Sequence, residues 1–123
     1  MAILKRDEIL GAQDILPPVE VPVPEWGGSV LVRQMNGVQR EEYSAMVSKL
    51  PSDKKGDQYA TARYLSVVLV DESGNLLFSE ADIKELGAKS AKALWRVWDK
   101  AAEINGLVPD EELEKNSEVG QSA

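Results

Sequence analysis

Residues 19–37, VEVPVPEWGGSVLVRQMNG, constrain the fold more than any other stretch of this chain. Val19, Val21 and Val23 alternate with Glu20, Pro22 and Pro24, giving one apolar and one polar face. Prolines lack an amide donor, so a strand holding Pro22 belongs at the edge of a sheet. Gly27 and Gly28 permit the positive φ of a chain reversal. From Ser29 to Met35 the chain then runs back, with Val30 and Val32 on one face and Leu31 and Arg33 on the other. The pattern predicts a β-hairpin over about 19–35. Trp26 falls in its turn, where a large aromatic has no automatic core position: it folds back over the sheet or it meets a partner.

The rest of the chain reads mostly as helix. In residues 1–16, Asp7 is a capping candidate, Ile9 and Leu10 are candidates to dock a first helical turn, and Gly11 interrupts it. Asn36 and Gln39 have the spacing of a capping box, and Tyr43, Met46, Val47 and Leu50 then fall on one helical face, so a helix is expected over about 37–50, ended by Pro51. After the polar loop 51–57, residues 58–70, QYATARYLSVVLV, are ambiguous. Their alanines favour helix and their valines strand; length favours helix for most of the stretch. Ser79 with Asp82 reads as a second capping box, Phe78 with Ile83 as a hydrophobic staple, and Gly87 as the residue past the end of a helix over 80–86. Ser90 caps a last helix over 90–105, stopped by Gly106. Its apolar stripe is Leu94, Val97, Trp98, Ala101 and Ile104, with Trp95 at the margin, and Lys92, Arg96 and Lys100 form a basic line on another side. Residues 109–123 hold Asp110, Glu111, Glu112, Glu114 and Glu118 against Lys115 alone and read as a disordered acidic tail. The fold class is therefore α+β: a small, mostly helical domain over 1–108 with a short N-terminal hairpin or sheet, and a flexible tail.

The composition excludes more chemistry than it suggests. The chain has no histidine and no cysteine, which removes the commonest general base, the commonest zinc ligand and any thiolate or disulfide chemistry. A hydrolase triad, a zinc site or a redox enzyme is not expected, nor is any cofactor. A net charge of −7 opposes binding to a phosphate backbone. No apolar run reaches membrane-spanning length and the N-terminus has no signal-peptide core, so a cytosolic protein is expected. Asp71, Ser73 and Asn75 begin a twelve-residue stretch that mimics a calcium loop, but Leu76 stands where its glycine belongs and Asp82 where its bidentate Glu belongs; a plain turn is the better reading. Glu41 and Glu42 diverge around a helix and cannot share a substrate atom. What remains is binding. The candidate partner-contacting residues are Trp26, Val30 and Val32 of the hairpin and Lys92, Trp95, Arg96 and Lys100 of the last helix, where positive charge on an acidic protein suits an acidic or amphipathic helix.

The ordered series ILGAQDI, VPVPEWGGSVLVRQMNG, REEY, VDESGNLLFSEADIKELGAKS and LEKNS resembles the tail assembly chaperones of phages with long non-contractile tails (siphovirus type). The resemblance runs from Ile9 to Ser117. PEWGG followed by an alternating strand and Val32-Arg33 is its most specific element, and the Val-Asp-x-x-Gly-x-x-x-Phe stretch at 70–78 comes next. It implies a non-enzymatic chaperone with no catalytic residue and a small, mostly helical α+β fold. The implied role is to coat the tape-measure protein, bring tail-tube subunits to it, and leave before the tail is complete, in the host cytoplasm and outside the mature virion. Self-association stays open. The resemblance further implies a longer product made by ribosomal frameshifting, which contacts the tube. Glu114-Lys115-Asn116 can be encoded GAA-AAA-AAC, which holds a slippery heptamer. The alternative from another class is a small acidic regulator, antitoxin-like, that covers a basic partner.

Overall fold

The computed structural model of the chain describes residues 2–51 and 56–106. The acidic tail and the Glu114-Lys115-Asn116 site therefore lie outside the described residues, as does most of the polar loop after Pro51. In chain order the elements are α1 (Arg6–Leu10), β1 (Val19–Val23), β2 (Gly28–Val32), α2 (Gly37–Ser48), α3 (Ala60–Ser66), β3 (Leu69–Val70), α4 (Ile83–Gly87) and α5 (Ala91–Asn105). One antiparallel sheet orders its strands β1-β2-β3, α5 packs against β1 and β2, and α3 packs on α4 and α5, so the α+β class expected from sequence is the observed one.

The hairpin register sets Val19 opposite Val32, Val21 opposite Val30 and Val23 opposite Gly28, which puts the valines of both strands on one face. Val21, Val23 and Val32 are buried there, while Glu20 and Pro22 are exposed on the other face. β1 is an edge strand, so the missing amide of Pro22 costs no ladder bond. A single 3-10 turn, Pro24–Trp26, makes the reversal, completed by Gly27 at φ 74°. This left-handed conformation is open to glycine and strained for most other residues. β2 ends at Val32 rather than Met35. Beyond it the Arg33 N–H donates to the Val68 carbonyl (2.8 Å), just before β3, and the Met35 N–H donates to Asn105 Oδ1 (2.7 Å) at the C-terminal end of α5.

The ambiguous segment divides where its composition divides. The alanine-containing half forms α3, and the valine-rich end forms β3, which pairs Leu69 with Val32 and Val70 with Leu31. Leu65, Val68 and Leu69 are fully enclosed. With Val97 and Ala101 of α5 and Ile83 and Leu86 of α4 they form the centre of the core.

Four local expectations need correction. The α2 face predicted as buried is only a flank: no residue of this helix is fully buried, and Val47 is 40% exposed. The Asn36–Gln39 capping box is present, with the Gln39 N–H donating to Asn36 Oδ1 at 2.8 Å and the Asn36 N–H to Gln39 Oε1 at 3.0 Å. Ile9 and Leu10 do not dock: Ile3, Leu4, Ile9, Leu10, Ile15 and Leu16 are all exposed, and the arm they form is tied to the body through the Leu16 N–H, which donates to Gln34 Oε1. Gly87 belongs to the last turn of α4, with Ala88 as the cap. A Cβ on Gly87 would lie 2.9 Å from Tyr59 Cδ1, so the glycine is there to let the start of α3 approach, not to reverse the chain. Expected helix 80–86 is a 3-10 turn over Glu80–Asp82 that continues into α4. The Asp82 carboxylate accepts from the Ser79 N–H (2.9 Å) and hydroxyl (3.2 Å), while Phe78 and Ile83 pack into the core as the staple predicts.

Candidate partner-binding site

Helices α2, α3 and α5 leave an open groove between them, of about 440 Å³, walled by Tyr43, Ala60, Thr61, Tyr64, Trp95 and Trp98. Its walls follow from the helical phases already described. Val97 and Ala101 point to the core, which turns Trp98 to the flank and Trp95 outward. Trp95 is 63% exposed, unusual for the largest side chain of an otherwise well-packed helix. It also borders two neighbouring depressions, one along α5 beside Lys92, Arg96 and Asp99, and one beside Tyr59, Gly87 and Lys89.

The groove is apolar and carries no charge on its floor. Tyr43 and Tyr64 meet edge to face, ring centroids 5.6 Å apart at 67°, an arrangement that aromatic quadrupoles favour. The Tyr64 hydroxyl donates to the Ala101 carbonyl (3.3 Å), and burial pushes its pKa up to about 12. Burial raises the Tyr43 phenol as well. Both phenols stay neutral at physiological pH. Such a trough suits aliphatic or aromatic side chains of an extended partner better than a polar metabolite.

The expected contact residues divide among several surroundings. Trp95 and Lys92 are exposed together on α5. Arg96 is not a free cation: its guanidinium makes a two-point contact with the Glu25 carboxylate (Nε–Oε1 3.1 Å, Nη2–Oε2 2.9 Å). That pair ties the hairpin turn to α5 and holds the Glu25 carboxyl below its ordinary range. Lys100 lies near Glu103 at 3.5 Å, so the predicted basic line is partly neutralised. Trp26 packs one part of its ring on the core; the rest lines a shallow depression of about 370 Å³ with Phe78, Leu86, Asp82, Glu85 and Lys89. Val30 is half-buried inside the sheet face. Val32 must be withdrawn as a contact residue: it is fully buried beneath α5 and offers no surface. Sequence reasoning missed Tyr43 and Tyr64 as groove walls because each sits at a core-facing helical position. The available signal was the tyrosine itself, whose hydroxyl favours a boundary between core and surface.

The calcium-like stretch is a turn held by its own aspartate. Asp71 Oδ1 accepts from the N–H groups of Ser73 (2.8 Å) and Asn75 (3.0 Å), and among the described residues no group of three or more acidic side chains is gathered for a metal ion. No described helix is long and apolar enough to cross a membrane.

Comparison with known proteins agrees with this architecture. The solved structure described as the bacteriophage HK97 tail assembly chaperone matches with a TM-score of 0.54 over 80% of this chain and 90% of that one, at 20% identity, which establishes a shared fold. No curated protein matches the sequence. The family model for the phage tail assembly chaperone matches residues 9–117, nearly the whole chain, and this protein belongs to that family.

Proposed function

We propose that this chaperone binds the tape-measure protein during tail morphogenesis, seating apolar side chains of an amphipathic helix in the Tyr43–Tyr64–Trp95–Trp98 groove. The observation that carries the reading is the exposed Trp95 at the edge of an uncharged aromatic trough. A long helical client presents a repeating apolar stripe that aggregates unless covered, and a groove of this kind covers one stretch of it. The six exposed aliphatic residues between Ile3 and Leu16 extend the apolar surface available to the client or to another copy of the chain. The role is a non-catalytic one, carried out in the host cytoplasm and finished before the virion is complete. Tail-tube subunits are brought by a longer, frameshifted form that departs from this sequence near Glu114-Lys115-Asn116.

Co-expression tests the reading. The tape-measure protein should move to the soluble fraction with this chain and do so much less with Tyr43→Ala/Trp95→Ala. A tape-measure protein that aggregates equally with and without the chaperone contradicts it. The nucleotides over residues 114–116 test the longer form: GAG-AAG-AAT there, with no slippery run nearby, removes it.

A further inference from the structure

We propose that the depression beside the hairpin turn, walled by Trp26, Phe78 and Leu86, seats an apolar side chain of a partner protein that carries Lys or Arg next to it. The depression encloses about 370 Å³, and Asp82, Glu85 and Lys89 complete its lining. It continues the surface already described. Lys89 also borders the hollow beside Tyr59 and Gly87, and that hollow shares Trp95 with the aromatic groove. A segment anchored in the groove therefore has a path past Trp95 and Lys89 to Trp26.

Local devices fix the walls before any partner arrives. The 3-10 turn Pro24–Trp26, closed by Gly27 at φ 74°, sets the direction of Trp26. The Glu25–Arg96 pair (2.9 Å) ties that turn to α5. The capping box holds Asp82 in place through Oδ2 alone, which accepts from the Ser79 N–H and hydroxyl. Trp26 and Phe78 are half-buried, so each ring packs on the core and leaves a part open. Walls already ordered lose little freedom on binding.

Charge sets the sign of the partner. Asp82 Oδ1 and both oxygens of Glu85 have no hydrogen-bond or ion-pair partner among the described residues. The neighbouring cations do not cancel them. Lys89 makes no ion pair with either carboxylate, Arg96 is bonded to Glu25, and Lys92 also acts on Glu25. Lys84 stands one position before Glu85, about 100° round α4, and does not line the depression. Two carboxylates against one ammonium leave the lining net negative, and aromatic faces beside them attract a cation further. That the partner is the tape-measure protein rests on the groove reading above; the preference for a basic neighbour does not.

Two capped dipeptides of opposite charge, acetyl-Trp-Lys-amide and acetyl-Trp-Glu-amide, test the seat on the isotope-labelled full-length chain. Near neutral pH and about 50 mM salt, where screening is weak, the Trp-Lys dipeptide should shift the Trp26 indole N–H and the amides of 85–89 saturably. Its half-saturation should come at a roughly fivefold lower concentration than that of the Trp-Glu dipeptide, the scale of an exposed ion pair. Glu85→Lys, at an exposed position, should abolish the preference with the melting temperature within about 3 °C of the wild type, and Glu85→Gln should reduce it. Equal half-saturation for the two dipeptides, shifts confined to Trp95 and its neighbours, or a preference that survives Glu85→Lys overturns the proposal. Because this experiment contains no tape-measure protein, its failure is separate from failure of the co-expression test.

Discussion

Asp57 and Arg63 show how a few atoms fix the start of α3. Arg63 Nε lies 2.7 Å from Asp57 Oδ2, and Oδ1 also accepts from the Tyr59 N–H at 2.9 Å. The bonded guanidinium holds the Asp57 carboxyl below its ordinary value of 3.8. A carboxyl with a lowered folded pKa contributes stability that is complete above its unfolded value and is lost as the pH falls through the folded one. Thermal melts should therefore show Asp57→Asn less stable than the wild type near pH 7, with the difference vanishing as the pH drops below 3.8. An undiminished gap in acid means that the pair contributes nothing. Gly87 makes a different local prediction. Alanine in a helix gains up to ~1 kcal/mol over glycine, but at the last turn that gain is small, and overpacking costs ~1–3 kcal/mol. With Tyr59 Cδ1 only 2.9 Å from the new methyl, Gly87→Ala should lower the melting temperature by roughly 5 °C. An unchanged or higher value shows that the Tyr59 ring moves aside freely. Spacing alone could not reveal this role, since a glycine near a helix end looks the same whether it turns the chain or makes room for a ring.

Among elements, one side chain ties the segment that follows β2 to the C-terminal end of α5. Asn105 accepts the Met35 N–H (2.7 Å) through Oδ1 and donates through Nδ2 to the carbonyls of Arg33 (3.2 Å) and Ala101 (3.0 Å). Asn105→Ala strands a partly buried donor and acceptor where the sheet gives way to loop, at a cost of about 2 kcal/mol. A melting temperature roughly 10 °C lower is expected, with the secondary structure intact before the transition. A drop of less than 2 °C would show that water replaces the amide at no cost. Period-2 alternation made the hairpin legible, and capping residues made α5 and the start of α2 legible, because both signals are local. β3 was not, since two residues, Leu69 and Val70, become strand only by pairing with β2. The α2 face was misread for a related reason: Tyr43 and Met46 obey helical periodicity whether they face a core or the side of a groove.

At the scale of the whole molecule, the fold gathers on one side what the sequence scatters over some fifty residues: Tyr43, Tyr64, Trp95 and Trp98. One of these four, Trp95, could be read in advance as a contact residue; Trp98 read as part of the buried stripe. Trp95 stood at the margin of the α5 stripe and so was a candidate, whereas the tyrosines depended on how α2 and α3 settle against α5. Charge was the least legible part, because Glu25 reaches Arg96 across 71 positions of sequence and removes the centre of the basic line. The central claim is that Trp95 anchors a client helix while contributing little to the fold. Truncating an exposed side chain costs ~0.5 kcal/mol or less in folding, whereas an aromatic anchor at an interface is worth ~2 kcal/mol or more, about thirtyfold in affinity. The direct measurement is calorimetric titration of a helical tape-measure fragment into the full-length chain and into Trp95→Ala, with both melting temperatures recorded. A roughly thirtyfold weaker Kd for Trp95→Ala, with melting temperatures within about 3 °C of each other, is the predicted result; equal affinities for the two chains would contradict the account.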